Sequence, residues 1–155
     1  MIKGNFPTTQ FESFETPFYY YDMALLRETL NTIRQETAGK PFHIHYAIKA
    51  NANEEILKLI ASYGFGADCV SGNEILRALE CGFPAHRIAF AGVGKTDREI
   101  RIGLENDIFC FNVESMAELE VLNELAAEMG KQAPVALRIN PNVDAHTHQY
   151  ITTGL

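Results

Sequence analysis

Apolar and polar residues alternate in two patterns along the chain, one typical of strands and one typical of helices. Five short runs rich in β-branched, aromatic and small apolar residues predict strands over 42–50, 65–70, 87–92, 107–112 and 134–140. Between them, apolar residues recur every three or four positions and predict helices over 53–64, 72–82, 97–106 and 114–130. The strand centres lie about 21 to 26 residues apart, the length of one strand–helix unit with short loops.

Capping residues support these boundaries. Side chains that cap helix N-termini stand before the four predicted helices, at Asn53, Ser71 or Gly72, Thr96 and Asn112. Glycines that end helices in a left-handed conformation stand after three of them, at Gly64, Gly82 and Gly130. An apolar stripe predicts the core-facing side of the last helix, through Met116, Leu119, Leu122, Leu125 and Met129.

A repeated strand–helix unit requires a parallel sheet, either an open doubly wound sheet or a (β/α)8 barrel. A dinucleotide-binding sheet carries GxGxxG after its first strand, but this first strand ends in KANAN, 49–53. The segment GVGKT, 92–96, lacks the first glycine of a phosphate-binding loop. We therefore predict an α/β fold, an incomplete (β/α)8 TIM-type barrel with about five of its eight units.

The first forty residues precede this repeat. PFYYYD, 17–22, is a further strand candidate, and an amphipathic helix is predicted over 23–37. We divide the chain into residues 1–40, an N-terminal strand and helix that flank the barrel, and residues 41–155, the first part of the barrel.

Composition narrows the functional classes. The 155 residues are 46% hydrophobic and 21% charged, as expected for a soluble globular domain, and the net charge of −7 disfavours nucleic acid and anionic membranes as partners. No apolar run reaches the roughly 18–20 residues that span a bilayer, and the start lacks the apolar core of a secretory signal. Cys69, Cys81 and Cys110 show no CxxC spacing. We expect buried thiols, a reducing compartment and a cytoplasmic location.

Polar residues recur where the predicted strands end, which in barrels is the face that carries the active site. They are Lys49, Asp68, Asn112 and Arg138 at strand ends, with Glu74 and Lys95 just beyond. Strand alternation puts Lys49 at the upper rim of the barrel, on the inward face. A desolvated lysine there is a nucleophile for aldehydes, whereas the alternative is a side chain that merely reaches solvent. Asp68 is a structural carboxylate, a helix cap or a site residue, and Arg138 pairs with it or with another anion.

Four histidines are candidates for other roles. His43 and His45 form an HxH pair that could bind zinc, but His45 lies roughly 13 Å below Lys49 at about 3.3 Å per residue, so core histidines are the better interpretation. His146 and His148 follow the fifth strand and are expected in a loop near the barrel mouth, with no assigned role.

The segment YAIKAN, 46–51, resembles the pyridoxal phosphate (PLP) attachment motif of the fold-type III decarboxylases, whose barrel is like that of alanine racemase. The group includes diaminopimelate, ornithine and arginine decarboxylases. Further stretches, in family order, are similar to the diaminopimelate branch: TPFYYYD (16–22), GADCVSGNEILRALECGFP (66–84), IAFAGVGKTDREI (88–100), FNVESMAELEVL (111–122) and LRINPNVDAHTHQYITTG (137–154).

The resemblance implies that Lys49 holds PLP, that Asp68 lies near the cofactor and that Arg138 lies beneath its ring. Glu74 is assigned a supporting role beside the cofactor. Asn73 replaces a glycine that is usual in the family turn at 71–74.

The implied reaction is decarboxylation of meso-2,6-diaminopimelate to L-lysine and CO₂, in lysine biosynthesis. Alternatives are a related substrate (ornithine, arginine or carboxynorspermidine), racemisation, or a non-catalytic binding protein of the same fold. A metal hydrolase built on His43 and His45 is a more distant alternative.

The resemblance also implies a homodimer with shared active sites, in a full-length protein roughly two to three times as long as this chain. We therefore expect this chain to be the N-terminal portion of such an enzyme, without the later barrel strands and the C-terminal β-domain, and to be inactive by itself.

Overall fold

The computed structural model describes residues 6–141, and its centre is a five-stranded parallel sheet. The strands are β1 (His45–Ala47), β2 (Gly66–Cys69), β3 (Ile88–Phe90), β4 (Cys110–Val113) and β5 (Val135–Leu137). They lie side by side in chain order. Barrels have this sequential order, whereas a doubly wound sheet reverses its order at a switch point. The described strands thus form an open, five-stranded part of a barrel-type fold, as predicted.

Six helices accompany the sheet in the described part of the chain. They are α1 (Thr8–Phe11), α2 (Met23–Thr37), α3 (Glu54–Ser62), α4 (Gly72–Glu80), α5 (Asp97–Glu105) and α6 (Met116–Glu128), with 3₁₀ turns at Ile48–Ala50 and Ala85–Arg87. The helices α3 to α6 each connect two consecutive strands. The caps explain where they begin: the side chains of Asn53, Ser71 and Thr96 accept backbone N–H groups of α3, α4 and α5.

The predicted cap of α6 was wrong. Asn112 lies inside β4, paired with Ala136, because the strand continues to Val113. Ser115 caps α6 instead, accepting the N–H of Glu118 at 3.2 Å. The apolar stripe of α6 is confirmed except at its first residue, Met116, which is exposed. The three predicted glycine terminations have positive φ angles, as expected, at Gly64, Gly82 and Gly130.

Only one face of the sheet packs against the helices. The side chains on that face are buried, namely Ala67, Cys69, Ile88, Phe90, Phe111 and Val113. The alternate positions carry small or polar side chains, namely Ala47, Asp68, Ala89, Cys110, Asn112 and Ala136. This second set defines the inner face, the side that faces the barrel interior in this type of fold.

Residues 17–22 do not form the predicted strand. Their rings pack instead on α1, where the ring centroid of Phe11 lies 5.4 Å from that of Phe18 and 5.1 Å from that of Tyr20. An aromatic run matches a strand pattern, but a strand forms only along a sheet neighbour. The predicted helix over 23–37 is confirmed as α2, which places Leu30 in the core and the Arg34 guanidinium over the Tyr63 ring.

Gly103 allows α5 to lie close to the sheet. A Cβ atom at this position would lie 2.7 Å from Cζ and 2.8 Å from Cε1 of Phe111, a fully packed ring on β4. Neither α5 nor the ring has room to move, because both belong to the core.

We therefore expect Gly103→Ala to lower the free energy of unfolding by about 1–3 kcal/mol through overpacking, although alanine is the better helix former. Gly94→Ala is the matched control, since nothing lies within 4 Å of its added Cβ. Urea unfolding followed by circular dichroism measures both variants. Equal stability of the two variants would contradict the close approach of α5 and Phe111.

Candidate active site

The candidate site lies at the carboxyl ends of the strands, on the inner face. Ala47, Asp68, Ala89 and Cys110 form one continuous row on the inner face, because each is the register partner of the next. The row begins at the carboxyl end of β1 and reaches the first residue of β4 at Cys110. Neighbouring strands are about 4.8 Å apart, so Asp68 stands between two alanines that leave space above the sheet. Asp68 is half-buried.

Lys49 follows β1 at this end, but it is not part of the strand. The predicted strand over 42–50 is reduced to His45–Ala47, and Ile48–Ala50 form a 3₁₀ turn anchored by the fully buried Ile48. Lys49 is exposed rather than desolvated. Its amine is therefore accessible from solvent, just beyond the carboxyl end of β1.

The buried lysine of this structure is Lys95. Its side chain is only 1% exposed, and Nζ donates to the carbonyl oxygens of Gly92 at 2.8 Å and Asn112 at 2.7 Å and to Oε1 of Glu118 at 2.7 Å. The ammonium also lies 5.3 Å from the centre of the Phe90 ring. With all three donors used, Lys95 is a structural cation that joins the loop after β3, the strand β4 and the helix α6.

Glu118 extends these contacts to the end of β4. Its Oε2 accepts the backbone N–H of Glu114 at 2.9 Å. Glu114 in turn accepts the N–H of Gly92 at 3.2 Å through Oε1 and Arg138 at 2.9 Å through Oε2. We call Lys95, Glu118, Glu114 and Arg138 the mouth network.

Arg138 therefore pairs with Glu114 and not with Asp68, the partner considered from the sequence. Two strands stand between β2 and β5, so their backbones are about 14 Å apart along the sheet, at roughly 4.8 Å per strand. The expectation that Arg138 has an anionic partner is confirmed. The identity of that partner was missed, although Glu114 follows β4 just as other polar residues follow their strands.

The electrostatics of Glu114 reflect this position. Burial by itself would raise the pKa of the carboxyl group, but the Gly92 N–H and the charges of Arg138 and Lys95 outweigh burial and lower it. The side chain of Glu114 is 8% exposed, whereas that of Arg138 is 53% exposed. The carboxylate is thus the fixed partner, and the guanidinium is the group that faces open space.

That open space is a cavity of about 400 Å³ lined by Ala91, Asn112, Glu114, Ala136, Leu137 and Arg138. It lies over β3 to β5 at their carboxyl ends. Lys49 and Asp68 do not line this cavity, but they belong to the neighbouring strands, Lys49 just after β1 and Asp68 in β2. The inner face and the strand ends thus carry an amine, a carboxylate and a guanidinium. Such a set suits a flat ligand that carries an aldehyde and an anionic group.

Two carboxylates, one after β2 and one after β3, bind backbone N–H groups and do not line the cavity. Glu74 Oε2 accepts the N–H of Val70 at 2.7 Å, which fixes the loop at the end of β2. Glu99 caps its own helix through Thr96 and also accepts the N–H of Gly72, the first residue of α4, at 2.9 Å. These hydrogen bonds from the backbone of Thr96 and Gly72 lower the pKa of Glu99.

The predicted histidines lie at the opposite end of the sheet. His45 is half-buried, with Nδ1 3.3 Å from the carbonyl oxygen of Ala67, whereas His43 is exposed, and both line a cavity of about 430 Å³ with His86. Among residues 6–141 no group of three histidine, cysteine or acidic side chains is arranged to hold a metal. His146 and His148 lie outside the described residues.

The cysteines are free thiols, as expected. Cys69 and Cys81 are buried, and burial raises the pKa of Cys69 to about 12. Cys110 is half-buried on the inner face rather than fully buried as expected, because its position in β4 alternates with the buried Phe111. Burial likewise raises the pKa of Cys110.

Comparison with known proteins places this chain in a family. Residues 23–155 match the sequence model of the family described as "Pyridoxal-dependent decarboxylase, pyridoxal binding domain". The chain belongs to this family of PLP-dependent decarboxylases. Within the part of the chain that the structure describes, no helix is both long and apolar enough to cross a membrane.

Named relatives are similar along almost the whole chain. The diaminopimelate decarboxylase of Bacteroides thetaiotaomicron is 61% identical over 155 residues, which are 99% of this chain and 40% of that protein. The crystal structure of the Helicobacter pylori diaminopimelate decarboxylase complexed with L-lysine is 44% identical, with a TM-score of 0.89 over 96% of this chain and 38% of that one. The chain therefore spans about two fifths of the length of these relatives.

A structure with a different substrate is less similar. The arginine decarboxylase of Paramecium bursaria Chlorella virus is 25% identical, with a TM-score of 0.64 over 76% of this chain and 31% of that one.

The first prediction for the site compares the buried Lys95 with the exposed Lys49. We expect Lys95→Met to lower the free energy of unfolding by about 3 kcal/mol, because it leaves the largely buried Glu118 without its cation. Lys49→Met, which removes an exposed charge, should leave stability close to that of the parent. Urea unfolding of both variants measures the difference. Equal stabilities would show that the Lys95 ion pair does not hold the sheet end together.

The lowered pKa of Glu99 predicts how its contribution to stability depends on pH. Its folded-state pKa is lowered from 4.5, so its stabilising contribution is complete above that pH and is lost as pH falls through the lower folded-state value. The difference in unfolding free energy between the parent and Glu99→Gln should be about 1 kcal/mol at neutral pH and should shrink below pH 4.5. Urea titrations from neutral to acidic pH test this. A difference that grows toward acid would contradict the assignment.

Proposed function

We propose that this chain forms the PLP-binding part of an enzyme that decarboxylates meso-2,6-diaminopimelate to L-lysine and CO₂, in lysine biosynthesis. The observation that carries the proposal is the accessible amine of Lys49 at the carboxyl end of β1, beside the Asp68 strand, in a member of the PLP-dependent decarboxylase family. The relatives named diaminopimelate decarboxylase, up to 61% identical to this chain, support the choice of substrate.

The residues present fit the cofactor. The row of Ala47, Asp68 and Ala89 offers a flat surface with one carboxylate. The cavity of about 400 Å³ over β3 to β5 has room for a small planar ring beside Arg138. An aldehyde needs an amine that it can reach, and Lys49 is exposed at this rim.

Each side chain has a proposed role. Lys49 supplies the amine that attaches the cofactor and later accepts or donates a proton at Nζ. Asp68 orients the cofactor through its charge, and Arg138 supports the ring from the far side of the mouth. Glu74 acts indirectly, because its carboxylate holds the Val70 N–H and with it the loop beside Asp68. When bound, PLP supplies a ring that accepts the electron pair left by the departing carboxylate.

The wider predictions from the sequence remain part of this proposal. They are the division at residue 40, a cytoplasmic location, and a homodimer in a protein of the relatives' full length. The buried state of Cys69 and Cys81 as free thiols supports a reducing compartment.

The attachment site is testable by chemistry at Lys49. In a protein of the relatives' length that carries these residues, added PLP should give a yellow colour. Borohydride reduction should then bleach this colour and leave a pyridoxyl label on the peptide that contains Lys49. The Lys49→Ala variant should lose this label, whereas Lys58→Ala, which removes an exposed lysine of α3, should keep it. Peptide mass mapping locates the label. A label spread over surface lysines in all three proteins would refute the proposed site.

The substrate is testable by competition among amino acids. CO₂ release should be fastest with meso-diaminopimelate and should fall at least about a thousandfold in Lys49→Ala, which removes the attachment amine. Faster release from ornithine or arginine would keep the PLP enzyme but replace the substrate. No release from any of them, with PLP still attached, would favour a binding protein of the same fold.

A further inference from the structure

The side chain of Arg138 is long, has several rotatable bonds and is 53% exposed. A guanidinium that supports a ligand must be held in one orientation before the ligand arrives. Its backbone is fixed, because its N–H donates to the carbonyl oxygen of Val113 at 3.0 Å. Among residues 6–141, its side chain pairs with Glu114.

Glu114 is itself held at two points besides its contact with Arg138. Its backbone N–H donates to Glu118, its Oε1 accepts from Gly92, and its Oε2 accepts from Arg138. Glu118 is in turn bound by the buried ammonium of Lys95. A carboxylate fixed in this way presents one oxygen to Arg138 in a set direction, and the remaining guanidinium donors are left for a ligand.

We propose that Glu114 is a positioning residue of this enzyme: it orients Arg138 toward the cofactor space, and the Lys95–Glu118 pair fixes Glu114 for that task. This inference rests on the proposed function, because it requires Arg138 to contact the cofactor. Glu114 need not touch the cofactor. It acts through Arg138, and its effect on cofactor affinity should therefore depend on Arg138 being present.

A double-mutant cycle tests this dependence in a protein of the relatives' length that carries these residues. Glu114→Gln keeps the shape and one acceptor oxygen but removes the charge, and it should raise the dissociation constant for PLP about tenfold. In an Arg138→Met background, the same substitution should change the constant by less than about twofold. Absorbance titration with PLP gives all four constants without measuring turnover.

The matched control is Glu128→Gln. Glu128 also belongs to α6 and pairs with an arginine, Arg101, at 2.6 Å, but this ion pair is exposed and lies away from the mouth network. It should leave the dissociation constant for PLP unchanged. If Glu114→Gln does not fold by circular dichroism, Glu114→Asp replaces it, with an expected increase of about threefold that again disappears in the Arg138→Met background.

The outcomes separate this inference from the function on which it rests. Parental protein that holds no PLP at Lys49 would overturn both. PLP attached at Lys49 with an affinity that Glu114→Gln leaves unchanged would overturn only the positioning role. An equal loss of affinity with and without Arg138 would also overturn it, because Glu114 would then act on general structure and not through Arg138.

Discussion

The buried ammonium of Lys95 is the interaction on which the active end of this sheet depends. One nitrogen binds a loop carbonyl after β3, a strand carbonyl in β4 and a carboxylate on α6. Parallel strands have no tight turns to fix their carboxyl ends, so their loops need other constraints. A desolvated cation supplies a strong one, because it is stable only while all of its partners stay in place.

Other carboxylates around the site also bind the backbone. Glu74, Glu99 and Glu118 each accept a backbone N–H at the start of a loop or helix. Lys49 and Arg138 are by contrast exposed. This end of the sheet thus combines acidic side chains that bind backbone N–H groups with basic side chains that are exposed.

Much of the fold follows from local pattern, whereas much of the site depends on pairing that no local pattern contains. The helix over 23–37, the order of strands and the glycine terminations are set by periodicity and by capping chemistry, and the structure confirms them. The burial of Lys95 and the pairing of Arg138 with Glu114 depend on residues 23 and 24 positions apart in the chain. The prediction of a strand over 17–22 was wrong for a related reason. The packing of an aromatic run depends on which other rings lie nearby, and the local pattern does not show them.

The charges of the mouth network also affect how a charged ligand interacts with this end of the sheet. Its two cations and two carboxylates sum to zero, so the net charge of −7 lies on other residues. At 0.1 M ionic strength, salt screens charges that lie more than roughly 10 Å away. An anion at this end of the sheet therefore responds mainly to the charges within that distance, and those of the mouth network cancel one another. In this respect the mouth network differs from a basic binding cleft, whose like charges add.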